Sequence, residues 1–119
     1  GVDSSRVAML LAVLERRAGI SLSDKDVYVS TVGGMRIIEP AADLAIAIAI
    51  ASAVSDKPVS TKVAAFGEIS LSGEVRGVAN LSQRTNEASR LGHKIIIDST
   101  SGQLKKALTQ ALAQSDQSQ

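Results

Sequence analysis

The chain contains no cysteine and no tryptophan, and only one tyrosine, one phenylalanine, one histidine and two prolines in 119 residues. Without cysteine there are no disulfides and no thiolate metal ligands, a composition that fits a reducing cytoplasm. A single histidine, His93, cannot supply a multi-histidine metal centre. Aromatics make up 2% of the residues although hydrophobic residues reach 45%, so the core has to be assembled from Ala, Val, Ile and Leu. Such a core offers few large anchors for stacking bases or caging ligands. An excess of charge is missing too: 13 Lys and Arg against 12 Asp and Glu leave +1. No global field draws in nucleic acid, and any DNA contact has to be local. The longest apolar run, Leu44 to Val54, falls far short of the roughly 20 residues that span a bilayer, and no signal-peptide pattern stands at the N-terminus. The length suits one domain, large enough to bury a core of its own.

What is present has clear local punctuation. Val7, Leu10, Leu11 and Leu14 recur at helical spacing between the capping residues Asp3, Ser4 and Ser5 and the terminator Gly19, which predicts a helix over 4–18. Val27 to Val32 is β-branched and aromatic and predicts a strand, with Gly33-Gly34 marking a bulge or turn before Met35 to Ile38. The run Ala45 to Ala51 alternates Ala and Ile, a strand's period in a helix's composition. Its length, Pro40 at the first helical position and Asp43 at the positive end of the dipole favour a helix. Its isoleucines point in several directions, so the sheet or another subunit is expected to cover most of it.

After Ser55-Asp56-Lys57-Pro58, the segments Thr61 to Leu71 and Glu74 to Val78 read as two strands joined by a hairpin turn at Ser72-Gly73. Asn80 and Gln83 form a capping-box pattern for a helix ending near Gly92. Lys94 to Ile97 reads as a buried strand. Thr100 and Gln103 repeat the capping pattern before a last helix with Leu104, Ala107, Leu108 and Ala111 on its apolar face. Residues 114–119 are too polar to pack and read as a disordered tail, leaving 1–113 as the domain. There is no internal repeat. The order predicts a two-layer α+β domain with helices packed on a mixed sheet.

Several features have plain structural explanations. Gly33-Gly34 and Gly73 lack a Gly-x-x-x-x-Gly-Lys-Ser/Thr pattern and fit turns better than a phosphate cradle. His93, beside Lys94 at a helix-to-strand junction, reads as a surface residue at a negative helix end. Arg16 and Arg17 suit the end of the first helix, and Lys105-Lys106 a solvated helix face.

One stretch points further. Glu39-Pro40-Ala41-Ala42-Asp43-Leu44-Ala45 opens the apolar helix and resembles the serine-bearing Pro-Ser-Ala-Gly turn of Lon-type proteases, with Ala41 at the nucleophile's place. Gly67-Glu68-Ile69-Ser70-Leu71-Ser72-Gly73-Glu74-Val75 resembles the segment ahead of the Lon lysine, and after Asn80-Leu81-Ser82-Gln83 that lysine's place is held by Arg84. With Val7 to Ile20, these segments are similar to the C-terminal Lon-like domain of the bacterial RadA/Sms DNA repair family, from about Ser5 to about Asp98. The chain departs from that family at Ile37-Ile38, Gly77-Val78-Ala79 and Ile97-Asp98-Ser99.

The resemblance implies a Lon proteolytic-domain-like fold whose catalytic positions are degenerate. A methyl group offers no nucleophile to activate, and arginine keeps its proton where a lysine could act as base. No catalytic residue, cofactor or metal is therefore expected in this chain. The resemblance also implies a longer bacterial cytoplasmic protein with a four-cysteine zinc module and a RecA-like core using ATP and Mg. That protein would process recombination intermediates by DNA-dependent ATP hydrolysis and branch migration. Its expected partners are further copies of itself in a hexameric ring, DNA and a recombinase, and no membrane. Arg76 and Arg84 would lie near the degenerate groove, where they could meet DNA phosphate or an acidic segment; an ion pair with Glu74, Glu87 or Asp43 is the favoured alternative. Two rival functions are a peptidase using another of the 16 serines beside one of the six lysines, and a protein-binding adaptor.

Overall fold

The described residues of the computed structural model are 2–30 and 39–113. Helix α1 runs Ser4–Ala18. The Asp3 carboxylate accepts the Ser5 N–H at 3.0 Å, and Gly19 ends the helix at φ 72°, its N–H returning to the Leu14 carbonyl. A capping aspartate and a left-handed glycine place both ends where the sequence does. Leu10, Val13 and Leu14 are its buried stripe.

The Ala/Ile run is helical. A 3-10 turn, Pro40–Ala42, leads into α2, Asp43–Ser55, which buries Leu44, Ile46, Ala47, Ile48, Ile50 and Ala51. Its isoleucines are covered while Ala45, Ala49 and Ala53 are exposed. Helix composition and tertiary cover therefore outweigh the strand-like alternation.

The expected strand Thr61 to Leu71 is divided in two, β1 (Val63–Ala65) and β2 (Glu68–Ile69), because the backbone between them bonds elsewhere. The Phe66 N–H donates to the Ile97 carbonyl at 3.0 Å. The Gly67 N–H donates to the Ala41 carbonyl and the Gly67 carbonyl accepts the Leu44 N–H, each at 3.0 Å. Only a glycine fits there: an added Cβ would lie 2.6 Å from Val75 Cγ1. β3 is Val75–Arg76, shorter than Glu74 to Val78, and pairs antiparallel with β2 through the Ser72-Gly73 turn, where Gly73 has φ 87°.

Helix α3, Leu81–Arg90, leads to β4, Ile95–Ile97, which pairs parallel with β1 in the register Ala64↔Ile96. A 3-10 turn, Ser99–Ser101, and α4, Leu104–Ala113, complete the described chain. The class is α+β. In place of one mixed sheet, the described residues form two two-stranded sheets. Helices α1, α2 and α4 pack on one another around the core, with Leu104, Ala107, Leu108 and Ala111 buried as the spacing predicts.

Three local expectations fail for tertiary reasons. Val27 to Ser30 is not a strand, Tyr28 is 90% exposed, and no described strand pairs with this segment. β-propensity reports fit to a paired, half-buried surface, so composition without a partner does not make a strand. Thr31 to Ile38, including the glycine pair, and the tail 114–119 lie outside the described residues. Neither capping box forms as read. Asn80 takes a left-handed φ of 58° and makes no side-chain cap bond. Ahead of α4, Thr100 bonds back to Asp98, and the Leu104 N–H is taken by the Gly73 carbonyl at 2.7 Å.

One ion pair joins three elements. Asp43 is fully buried and accepts Arg6 Nε and Nη2 in a bidentate pair, both at 2.5 Å, while its Oδ2 also takes the Ile69 N–H at 3.0 Å. Arg6 on α1, Asp43 on α2 and Ile69 on β2 thus meet at one carboxylate. Removing the arginine would strand a buried charge, so Arg6→Ala is expected to cost about 3 kcal/mol in chemical denaturation.

Candidate functional site

The 3-10 turn that carries Ala41 is held by the Gly67 N–H at Ala41, and the residue that precedes it, Glu39, is held by an arginine. On the first turn of α3, Arg84 directs Nε to the Ala79 carbonyl at 2.8 Å and Nη2 to Glu39 Oε1 at 2.7 Å. Glu39 lies two residues before Ala41, so the pair brings the two positions singled out by the Lon resemblance into one neighbourhood. The contact is charge-assisted. Hydrogen bonding to Arg84 holds the Glu39 carboxyl below its ordinary range, and the same bond pushes the Arg84 guanidinium up.

Chemically the neighbourhood holds a methyl group and a neutralised arginine. Neither the Ala41 methyl group nor the Arg84 guanidinium can itself serve as nucleophile or base. None of the three acids expected for Arg84 is its partner. Asp43 serves Arg6, Glu87 pairs with Arg90 at 2.5 Å, and Glu74 accepts the Ser72 hydroxyl at 3.0 Å. Arg76 is exposed on β3, forms no ion pair with a described residue, and does not line the groove at Arg84.

That groove, of about 560 Å³, runs between α3 and the outer side of β1, with His93 at its end. Ala64 and Phe66 supply apolar surface on the strand side, Ala88 and Leu91 on the helix side, and Asn80, Gln83, Arg84, Glu87 and His93 add polar groups. The His93 ring meets the Thr61 carbonyl at 2.6 Å through Nδ1, while its backbone N–H takes the Ala88 carbonyl at 2.8 Å. His93 is therefore half-buried and ties β4 to the turn before β1, with only its backbone serving the helix end. A second groove, of about 630 Å³, lies between α2 and residues 25–30. Among the described residues no three His, Cys, Asp or Glu side chains gather as metal ligands, and no helix is long and apolar enough to cross a membrane.

Sequence reasoning missed Glu39 as the partner of Arg84, although the glutamate opens the very motif that drew attention. It also missed the hydrogen bond from Lys94 Nζ to Ser89 Oγ at 3.2 Å. Neither contact has a local signal beyond residue type.

Two outcomes are expected at this site. Because the folded Glu39 carboxyl titrates below its unfolded value of about 4.3, the Glu39–Arg84 contribution is complete above that pH and is lost as pH falls through the lowered value. An NMR titration should show the Glu39 midpoint depressed, and Arg84→Gln should return it to the ordinary range. The double variant Ala41→Ser, Arg84→Lys is expected to leave casein and fluorogenic peptides uncut. The Glu39 carboxylate would favour the charged form of a lysine at 84, and oxyanion donors would still have to be positioned.

Comparison with known proteins places this geometry in a family. Proteins named DNA repair protein RadA are similar to this chain. That of Streptococcus pyogenes serotype M1 is 49% identical over 92 residues, covering 77% of this chain and 20% of the relative. That of Halalkalibacterium halodurans is 47% identical over 97 residues, covering 82% and 21%. That of Listeria monocytogenes serovar 1/2a is 44% identical over 96 residues, covering 81% and 21%. The chain spans about a fifth of the length of these curated relatives. Residues 8–101, most of the sequence, match the family model ChlI, described as subunit ChlI of Mg-chelatase, and the chain belongs to that family.

Proposed function

We propose that this chain is the C-terminal, Lon-like and non-proteolytic domain of a RadA/Sms-type DNA repair protein, where it serves as an assembly scaffold. The observation that carries the reading is the Glu39–Arg84 pair. At the place where a Lon-type site would set a serine against a lysine, this chain sets a structural ion pair beside a methyl group. Relatives named DNA repair protein RadA support the repair context.

In this reading the chemistry belongs to parts of a longer protein: a zinc module and an ATPase core that uses ATP and Mg on DNA to process recombination intermediates and drive branch migration. The present domain holds copies together in a ring, a hexamer by the family resemblance. The face of α2 bearing Ala45, Ala49 and Ala53 borders a groove shared with residues 25–30, a side of the domain open to a neighbour. An auxiliary DNA contact falls to Arg76, whose charge no described acid takes up, ahead of Arg84, whose charge Glu39 already holds.

The peptidase alternative has one specific observation to answer, the contact of Lys94 with Ser89. A serine–lysine base works because burial lowers the lysine's proton affinity. Lys94 is exposed on the surface, so this contact fits an ordinary surface hydrogen bond. Light scattering on the 119-residue chain should reveal concentration-dependent association, and a strict monomer at high concentration would remove the scaffold reading.

A further inference from the structure

The chain has two aromatic residues, and neither belongs to its core. Phe66 is half-buried in the 560 Å³ groove, and Tyr28 is 90% exposed. In a sequence so poor in aromatics, this leaves its two largest apolar rings available for contact.

The two rings lie on opposite sides of the domain. Val63 and Ala65 pack against the core, so strand alternation carries Lys62, Ala64 and Phe66 to the other face of β1. The parallel register places Lys94 and Ile96 on that same outer face. On the core side, α2 buries Leu44, Ala47, Ile48 and Ala51, while its Ala45 and Ala49 flank residues 25–30 and Tyr28. Tyr28 is thus separated from the Phe66 face by both α2 and the sheet. An anchor on one side of a chain and a concavity on the other make a heterologous contact, the kind that closes a ring when the rotation permits.

The chemistry of the two surfaces also matches. The groove has apolar walls at Phe66 and at Leu91, which is 60% exposed, with Asn80 and Gln83 at its edge as partners for a phenol hydroxyl, while the charges of its Glu87 and Arg84 are already held by Arg90 and Glu39. Beyond His93, the outer face carries Lys62 and Lys94. Tyr28 is preceded by Asp24, Lys25 and Asp26, of which Lys25 lies 4.0 Å from Asp24, leaving one negative charge in excess.

We infer that Tyr28 of one copy inserts into the Phe66–Leu91 groove of the next, with Asp26 facing Lys62 and Lys94. This inference rests on the scaffold reading and names the surface through which it acts. The buried phenol finds its hydrogen bond at the amide edge, and the charges set the register.

The test uses the 119-residue chain, whose lack of cysteine permits clean pairwise crosslinking. Tyr28→Ser and Leu91→Glu, both at exposed positions, should each weaken association at least tenfold in sedimentation or light scattering. Asp26→Lys should weaken it as well, and adding Lys62→Glu and Lys94→Glu should restore it. With a short bis-maleimide, Tyr28→Cys protein mixed with Leu91→Cys protein should yield crosslinked dimers that neither forms by itself. Association that persists unchanged in both Tyr28→Ser and Leu91→Glu would overturn this docking while leaving the scaffold reading in place. Efficient crosslinking of Tyr28→Cys to itself would also overturn it. A wild-type chain that stays monomeric would overturn both.

Discussion

The buried carboxylate of Asp43 is the constraint on which the rest of the fold depends. It receives a bidentate arginine from α1 and a backbone N–H from β2, so the first two helices and the hairpin are joined at one group. A charge at full burial has to be paired and hydrogen-bonded, and here three donors converge on it. The same residue ends the Glu-Pro-Ala-Ala-Asp motif. That motif therefore has a structural reason to exist: its last member joins α1, α2 and β2.

The remainder of the motif follows from that anchor. With Asp43 fixed, the residues on either side of it reach Gly67, Ala41 accepting its N–H and Leu44 donating to its carbonyl, and these two bonds divert the chain from β1 into the β2–β3 hairpin. Glu39 then projects toward α3 and meets Arg84. The pair joins two groups that keep their charges near neutrality. A pair of this kind positions elements, here the residue that opens the motif against the first turn of α3.

Legibility followed distance along the chain. α1 was readable end to end because Asp3 and Gly19 act on residues a few positions away. The turn at Ser72-Gly73 was readable for the same reason. The Ala/Ile run needed its flanking Pro40 and Asp43 to be read correctly, since its alternation pointed the other way. The capping patterns misled where a tertiary partner offered something better: the Gly73 carbonyl took the first N–H of α4, and Asn80 adopted a left-handed conformation with no cap bond. At the candidate site, positions 41 and 84 were legible from sequence and their connecting residue was not. Glu39 and Arg84 are 45 positions apart, and nothing local marks one as the other's partner.

By itself the sequence determined the composition of the core, the class of the fold, the helical segments and the absence of a hydroxyl and a lysine at the two diagnostic positions. These are properties of residue identity or of spacing within a turn or two, and short-range geometry suffices to express them. Only the tertiary structure decided which acid each arginine holds, where a long apparent strand breaks into two, and that both aromatic rings lie outside the core. Those outcomes depend on which surfaces meet, as when Arg6 reaches Asp43 across 37 residues. The packing of the whole chain chooses such partners, and no local pattern encodes them.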